Sequence, residues 1–307
     1  MKKNNLSFPK NLIEASDLNK NHLFQLFEKA KYFEENFKQG IKFPDLQGTT
    51  IATVFFEPST RTRLSFEIAA KRLSADILNF TASASSLTKG ESLADTIRTI
   101  DAMYVNMYVV RNKFFGVPQF ISRITEKNVI NAGDGKHEHP TQALLDTYTI
   151  LKHYGKFDGL KVCIIGDILH SRVARSNITM LQTLGAKVKL MGPGTLLPRH
   201  LNVWNLEIID NIDESIEWSD AVILLRLQRE RMSSGLLPSL EEYVKFYQIG
   251  LENFVKNDKL ILLHPGPVNY GTEIDFRVSK LHNYLVNQQV TNGVFTRMAL
   301  LSLLFQA

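Results

Sequence analysis

Short runs rich in β-branched and aromatic residues alternate with helix-periodic segments along most of this chain, and that alternation restricts the fold more than any other feature. Leu23, Phe24, Leu26, Phe27, Ala30 and Phe33 outline a first amphipathic helix. Strands are then expected at 49–56, 76–80, 105–110 and 128–131, with helices at 60–74, 92–102 and 117–125 between them. Short strands joined through helices pair in parallel, with helices covering both faces of the sheet. A long helix at 139–154, apolar at Ala143, Leu144, Tyr148 and Leu151, closes at Gly155. The pattern restarts after it, with strands at 160–165, 186–191, 206–209, 220–225 and 260–263 and helices at 172–184 and 213–218. Residues 1–20 read as polar, with no convincing periodicity before Leu18. A last apolar helix at 293–305 is expected to return to the first domain, making it discontinuous. The expected architecture is α/β: two doubly wound domains, each a mostly parallel sheet flanked by helices, joined by two interdomain helices.

At 307 residues the chain is long enough for two domains with separate cores. A hydrophobic content of 44% and a charged content of 22% are those of a soluble globular protein. The net charge of +5 comes from scattered lysines, which gives weak support for nucleic acid and fits small acidic substrates equally well. Cys163 lies in an apolar strand-like run and reads as a buried thiol. No signal-peptide core follows Met1, and no apolar run approaches ~18 residues, so no membrane contact and a cytoplasmic location are expected.

The stretch with the most chemistry is Phe55-Phe56-Glu57-Pro58-Ser59-Thr60-Arg61-Thr62-Arg63, where a strand ends and a helix begins. A helix start offers unpaired N–H groups and the positive end of a dipole, so arginine is disfavoured there unless an anion binds. Two guanidinium groups and several hydroxyls at one helix start therefore predict an anion site; helix capping and solvated arginines are the competing reading. Lys89, in the polar loop Ser85 to Ser92, can reach a phosphate or carboxylate, or can simply be solvated. Arg111 follows another strand, on the sheet edge where ligands of open α/β folds gather. His137-Glu138-His139 lacks further ligands at metal spacing, so no metal is expected; His139 and Gln142 instead share one side of a helix start. Gly166 to Arg172 sits where a dinucleotide fingerprint would, without its glycines, so no such cofactor is expected and Arg172 is read as a carboxylate ligand. Arg226 and Gln228 follow the strand at 220–225 in the same way. In His264-Pro265-Gly266-Pro267 two prolines leave carbonyl oxygens without ladder partners, able to accept from a substrate NH₂.

Taken together these stretches resemble the transcarbamoylase family. Ser59-Thr60-Arg61-Thr62-Arg63 looks like its carbamoyl phosphate signature, and His139-Pro140-Thr141-Gln142 like its second hallmark. Phe56-Glu57-Pro58, Lys89-Gly90-Glu91-Ser92-Leu93-Ala94-Asp95-Thr96 and His264-Pro265-Gly266-Pro267 look like the aspartate carbamoyltransferase branch; the ornithine branch typically carries His-Cys-Leu-Pro at the last of these. The match runs in order over nearly the whole chain. The resemblance implies carbamoyl transfer from carbamoyl phosphate to the amine of L-aspartate, in pyrimidine biosynthesis, with no cofactor. It implies a carbamoyl phosphate domain at 1–142 plus 292–307 and an aspartate domain at 143–291. Ser59, Thr60, Arg61, Thr62 and Arg111 would hold the phosphate, and Thr62, Arg111 and His139 would face the carbonyl oxygen. Gln142 and the carbonyls of Pro265 and Gly266 would accept from the carbamoyl NH₂, and Arg172, Arg226 and Gln228 would bind aspartate. Ser86 and Lys89 match a loop that enters a neighbouring subunit's site, which implies a homotrimer; a regulatory chain or a dihydroorotase partner is left open. Tyr270 departs from the family, which usually has Arg there. An enzyme with another acceptor and a non-catalytic protein on the same fold are the rival readings, the latter supported by Tyr270 and the pI of about 9.1.

Overall fold

The computed structural model describes residues 7–81, 91–198, 205–228, 236 and 239–307. The chain divides into two compact units, Met1–Leu145 with Val290–Ala307, and Asp146–Gln289.

The first unit contains α1 (Lys20–Glu35), β1 (Thr50–Phe55), α2 (Thr60–Arg72), β2 (Asp76–Thr81), α3 (Leu93–Asp101), β3 (Met107–Asn112), α4 (Val117–Ile124) and β4 (Asn128–Asp134). Its sheet runs β2-β1-β3-β4 with every pair parallel. The strands are near-continuous apolar runs because both faces are covered. Ala52, Val54, Tyr108, Val110 and Val129 pack with Ile97, Ile100 and Ile121 from the helices. Fully buried Tyr108 keeps its hydroxyl satisfied by donating to Asp101 Oδ1 at 2.7 Å. The N-terminal stretch is less polar in effect than its composition indicates. Leu12 is buried and extends the sheet beyond β4, its N–H donating to Val129 O and its carbonyl accepting from Asn131 N–H. A single strand-like contact has no period to read, so the sequence gives no warning of it.

The chain passes between the units inside two helices, α5 (Pro140–Tyr154) and α10 (Val286–Phe305). α10 begins seven residues earlier than expected, because Gly293 lies within the helix rather than before it. A Cβ at Gly293 would lie 2.6 Å from Arg297 Nη1 and 3.1 Å from Leu145 Cδ2, so glycine serves close packing there and not helix termination.

The second unit holds β5 (Lys161–Ile165), α6 (Arg172–Leu184), β6 (Lys187–Met191), β7 (Glu207–Ile208), α7 (Ile212–Trp218), β8 (Ala221–Leu224), α8 (Leu240–Tyr247), α9 (Leu251–Phe254) and β9 (Ile261–Leu263). The sheet order is β7-β6-β5-β8-β9, again parallel throughout. Cys163 is fully buried in this unit's core with Ile165, Val222, Leu224 and Leu262; burial pushes its thiol up to about 12. Helices α8 and α9 lie outside the elements expected from the sequence. Ser239 caps α8 by accepting from Glu242 N–H, a local signal sufficient to have placed it. Among the described residues no helix is long and apolar enough to cross a membrane.

Both sheets have a switch point, where successive connections leave in opposite directions: between β1 and β3 in the first, between β5 and β8 in the second. The crevice outside the carboxyl ends of such strands is where open α/β folds bind ligands.

Candidate active site

In the first unit the residues singled out from the sequence follow β1, lie at the end of β3, or follow the neighbouring β4. β1 ends at Phe55, and the turn Phe56-Glu57-Pro58 leads to Ser59, the N-cap of α2. Ser59 is extended and its side chain makes no capping hydrogen bond, so the start of α2 keeps the N–H character that suits an anion. Thr60 and Arg61 are exposed on the first turn, whereas Thr62 is buried. Arg63 is drawn into an ion pair with Glu67 one turn on, at 3.6 Å.

Arg111 stands beside Phe55 in the register of β3 with β1, and its carbonyl accepts from Phe56 N–H at 2.9 Å. Its side chain is the centre of this half-site. Nη1 lies 3.4 Å from Thr62 Oγ1, 3.2 Å from Ala132 O and 3.4 Å from His139 Nε2, while Nε lies 2.7 Å from Glu57 Oε1. A guanidinium only donates, so His139 Nε2 is the acceptor and the imidazole proton sits on Nδ1, 3.3 Å from Thr141 Oγ1. Gln142, three residues on, is buried and its N–H donates to His139 O. Thus Thr62, Arg111 and His139 are brought together, with Glu57 as a fourth member whose pairing with Arg111 has no local sequence signal.

Asp134 delivers His139 to that position. Oδ1 accepts from Glu138 N–H and Asn131 Nδ2, and Oδ2 accepts from Gly116 N–H, which closes the turn before α5. Burial alone would raise the Asp134 carboxyl, but the bonds from His137, Asn131 and Gly116 outweigh it and hold it below the ordinary range. The Asp134 hydrogen bond in turn raises His137, which also faces Glu14 at 3.7 Å. The first expectation that follows concerns pH. Stability from a depressed carboxyl is present above its ordinary range and lost as pH falls through the lowered folded value; that from raised His137 is present below the ordinary imidazole range and lost as pH rises past its folded value. The network is at full strength between the two. Asp134→Asn is expected to reduce the proton uptake on acid unfolding by about one proton, read from the slope of stability against pH. An unchanged acid limb would dismiss the network.

In the second unit the same logic operates at the other switch point. β5 ends at Ile165 and Gly166 follows at a φ of 121°; a Cβ there would meet Leu225 O at 3.0 Å. Buried Asp167 Oδ1 bonds His170 Nδ1 at 2.8 Å, shaping the turn into α6. Ser171 caps α6 by accepting from Ala174 N–H, and Arg172 is its first residue, only 5% exposed. After β8, burial alternates: Leu225 and Leu227 are buried, Arg226 and Gln228 partly exposed. Gln228 Nε2 donates to His170 O at 3.2 Å, tying the two strand ends together. After β9, Pro265 and Gly266 are both partly exposed, and Gly266 N–H donates to His264 Nδ1 at 2.8 Å, which orients the turn and its carbonyls. Tyr270 offers no cation; its hydroxyl lies 3.0 Å from that of Tyr284 and its ring meets Phe276 edge-on. Ser86 and Lys89 lie outside the described residues.

Glu57, Asp134, Asp167 and Glu273 went unassigned in the sequence. Glu57 and Glu273 reach Arg111 and Leu227 from distant parts of the chain, which no local spacing reports, whereas Asp134 and Asp167 bond groups three or four residues away and could have been read as turn-forming aspartates.

Two family models match, one described as "Aspartate/ornithine carbamoyltransferase, carbamoyl-P binding domain" over residues 10–152, the other as the "Asp/Orn binding domain" over residues 158–304. The chain belongs to the aspartate/ornithine carbamoyltransferase family. Among carbamoyltransferases similar to it, the "Aspartate carbamoyltransferase catalytic subunit" of Carboxydothermus hydrogenoformans is 50% identical over 298 residues, 96% of each chain. That of Flavobacterium psychrophilum is 46% identical over 297 residues, again 96% of each. Similar solved structures include the catalytic subunit of M. jannaschii aspartate transcarbamoylase, with a TM-score of 0.85 and 35% identity over 97% of this chain and 98% of that one. Aspartate transcarbamoylase from Trypanosoma cruzi in complex with carbamoyl aspartate and phosphate gives 0.84 and 31%, with the same coverage. The first carbamoyltransferase model takes in the residues from Glu57 to Gln142, and the second those from Arg172 to Gly266.

Proposed function

We propose that this chain transfers the carbamoyl group of carbamoyl phosphate to the amine of L-aspartate, giving N-carbamoyl-L-aspartate and phosphate in pyrimidine biosynthesis. The observation that carries the reading is its relatedness, over nearly its whole length, to chains named aspartate carbamoyltransferase catalytic subunit. Residues 1–142 with 292–307 take carbamoyl phosphate, and residues 143–291 take aspartate. Ser59, Thr60, Arg61, Thr62 and Arg111 hold the phosphate group. Thr62, Arg111 and His139 face the carbonyl oxygen, while Gln142 and the carbonyls of Pro265 and Gly266 accept from the carbamoyl NH₂. Arg172, Arg226 and Gln228 bind the aspartate carboxylates.

Chemistry supports this assignment of roles. As the amine attacks, a C–N bond forms and negative charge grows first on the carbonyl oxygen. It passes to the departing phosphate as the C–O bond breaks, and the phosphate takes the surplus amine proton. Fixed cations and N–H donors stabilise each stage without reorganising. Arg111 is suited to both, since one guanidinium already bridges Thr62 and His139. Glu57 lies where it competes with the phosphate for Arg111, which favours release of that product.

The working unit is a homotrimer, with Ser86 and Lys89 completing the site of a neighbouring copy. Leu64 and Ile68, one turn apart on α2 and 46% and 47% exposed, give this helix an apolar outer face suited to a second copy. A cytoplasmic location fits Cys163, a buried free thiol.

The test is product formation by the purified chain with L-aspartate and L-ornithine in parallel, on material sized by sedimentation. N-carbamoyl-aspartate from aspartate alone, made by a trimer, is expected. Carbamoylation of ornithine alone would overturn the acceptor, a fully active monomer would overturn the shared site, and a folded trimer inactive on both would overturn the reaction.

A further inference from the structure

Glu273 sits outside every stretch that the sequence marked, yet its carboxylate is fully buried and joins two of them. Oε1 accepts from Leu227 N–H at 2.9 Å and from Asn269 Nδ2 at 2.8 Å; Oε2 accepts from Asn269 N–H at 2.7 Å. His264 faces the same carboxylate, with Nε2 4.0 Å from Oε2. Because His264 Nδ1 accepts from Gly266 N–H, the ring proton belongs to Nε2 and its polarity complements Glu273. One acidic group thus grips the segment after β8 and the turn after β9.

The grip on Leu227 is specific in its consequence. The Leu227 side chain is buried with Leu196 and Tyr243, so this residue is anchored twice, by its side chain and by its N–H. Arg226 and Gln228 flank it on the open side. Their approach to a substrate is set in part by the Leu227 backbone between them, which Glu273 holds. Taking a carboxylate out of water is costly unless several donors meet it, and the three N–H bonds here supply that compensation. Burial raises the Glu273 carboxyl above its ordinary range, with the bonds from Leu227 and Asn269 and the charge of Arg226 pulling it back. Purely structural ends would be served at lower cost by an apolar side chain of similar volume.

We propose that Glu273 is a positioning residue of the acceptor site, fixing the Arg226–Gln228 segment against the His264–Asn269 turn so that Arg226 and Gln228 meet the dicarboxylate. The proposal rests on the aspartate reading given above. In Glu273→Gln the side chain keeps its size but offers one acceptor oxygen and sets an NH₂ against N–H donors. Misplacement by about 1 Å typically costs about 10²-fold in rate. The expected result is a fall of that order in kcat/KM for aspartate, with weakened binding of succinate as a non-reacting dicarboxylate, while carbamoyl phosphate, whose phosphate ligands all lie in the first unit, loses less affinity than succinate does. Asn269→Ala, at a partly exposed position, removes one of the three donors, the side-chain Nδ2, and keeps the backbone N–H; it is expected to fall between wild type and Glu273→Gln in the same measurements, and it carries the test if Glu273→Gln does not fold. Val222→Ala, which weakens the same core without touching the carboxylate, serves as the control. Wild-type-like succinate binding in both variants, or an equal loss in Val222→Ala at matched thermal stability, would overturn the proposal. A wild-type chain that binds no succinate and makes no carbamoyl-aspartate would instead overturn the aspartate reading on which it rests.

Discussion

Arg111→Ala should lower kcat/KM for carbamoyl transfer by at least about 10³-fold, the largest loss expected from a single substitution in this chain. Removing one preorganised donor from a site that stabilises developing negative charge typically costs roughly 2.7–4 kcal/mol. Arg111 supplies more than one such contact: its Nη1 alone lies within 3.4 Å of Thr62, Ala132 O and His139. The alanine variant also strands the half-buried Glu57 carboxylate, whose uncompensated charge would sit beside an anionic substrate. Arg111→Lys should recover little of the loss, since an ammonium is a point charge and cannot span Glu57, Ala132 O and His139 as a planar fork does. The measurement is steady-state turnover with both substrates varied. If Arg111→Ala kept activity within about 10-fold of wild type, the first half-site would not be where the charge develops.

The site is legible in the sequence where its parts are local and obscure where they are not. The passage from Phe55 to Thr62 could be read directly, because a strand, a turn and a helix cap all announce themselves within a few residues. Arg111 could be placed at a strand end, and so could Arg226, since the sheets are parallel and their carboxyl ends share an edge. What Arg111 touches could not be read: Glu57 follows β1 while Ala132 lies in β4 and His139 just beyond it, and the meeting depends on strand order. Sequence order alone does not reveal that β3 lies beside β1 and β2 at the edge. The same limit hides Glu273, forty-six residues from Leu227. Tyr270 illustrates a different limit. The sequence shows that it is no cation, while its pairing with Tyr284 and Phe276 depends on how the turn after β9 lies on the segment that follows.

Arg172→Ala should raise KM for aspartate between about 30-fold and several-thousand-fold, following the roughly 2–5 kcal/mol lost when one partner of a buried, hydrogen-bonded charge pair is truncated. Arg172 is the first residue of α6 and 5% exposed, so its charge sits at the positive end of a helix dipole with little water to screen it. That placement is unfavourable for a guanidinium by itself and becomes favourable when a substrate carboxylate neutralises it. Carbamoyl phosphate affinity should stay within about 3-fold of wild type, because its phosphate ligands leave a different sheet. Nor should the substitution create an ornithine enzyme. Arg226 remains on the acceptor side and still opposes a side-chain ammonium, whose recognition needs a carboxylate that the substitution does not supply. An Arg172→Ala chain with the wild-type KM for aspartate would take this residue out of the acceptor site, and gain of ornithine turnover would show that its charge selects against the wrong acceptor more than it binds the right one.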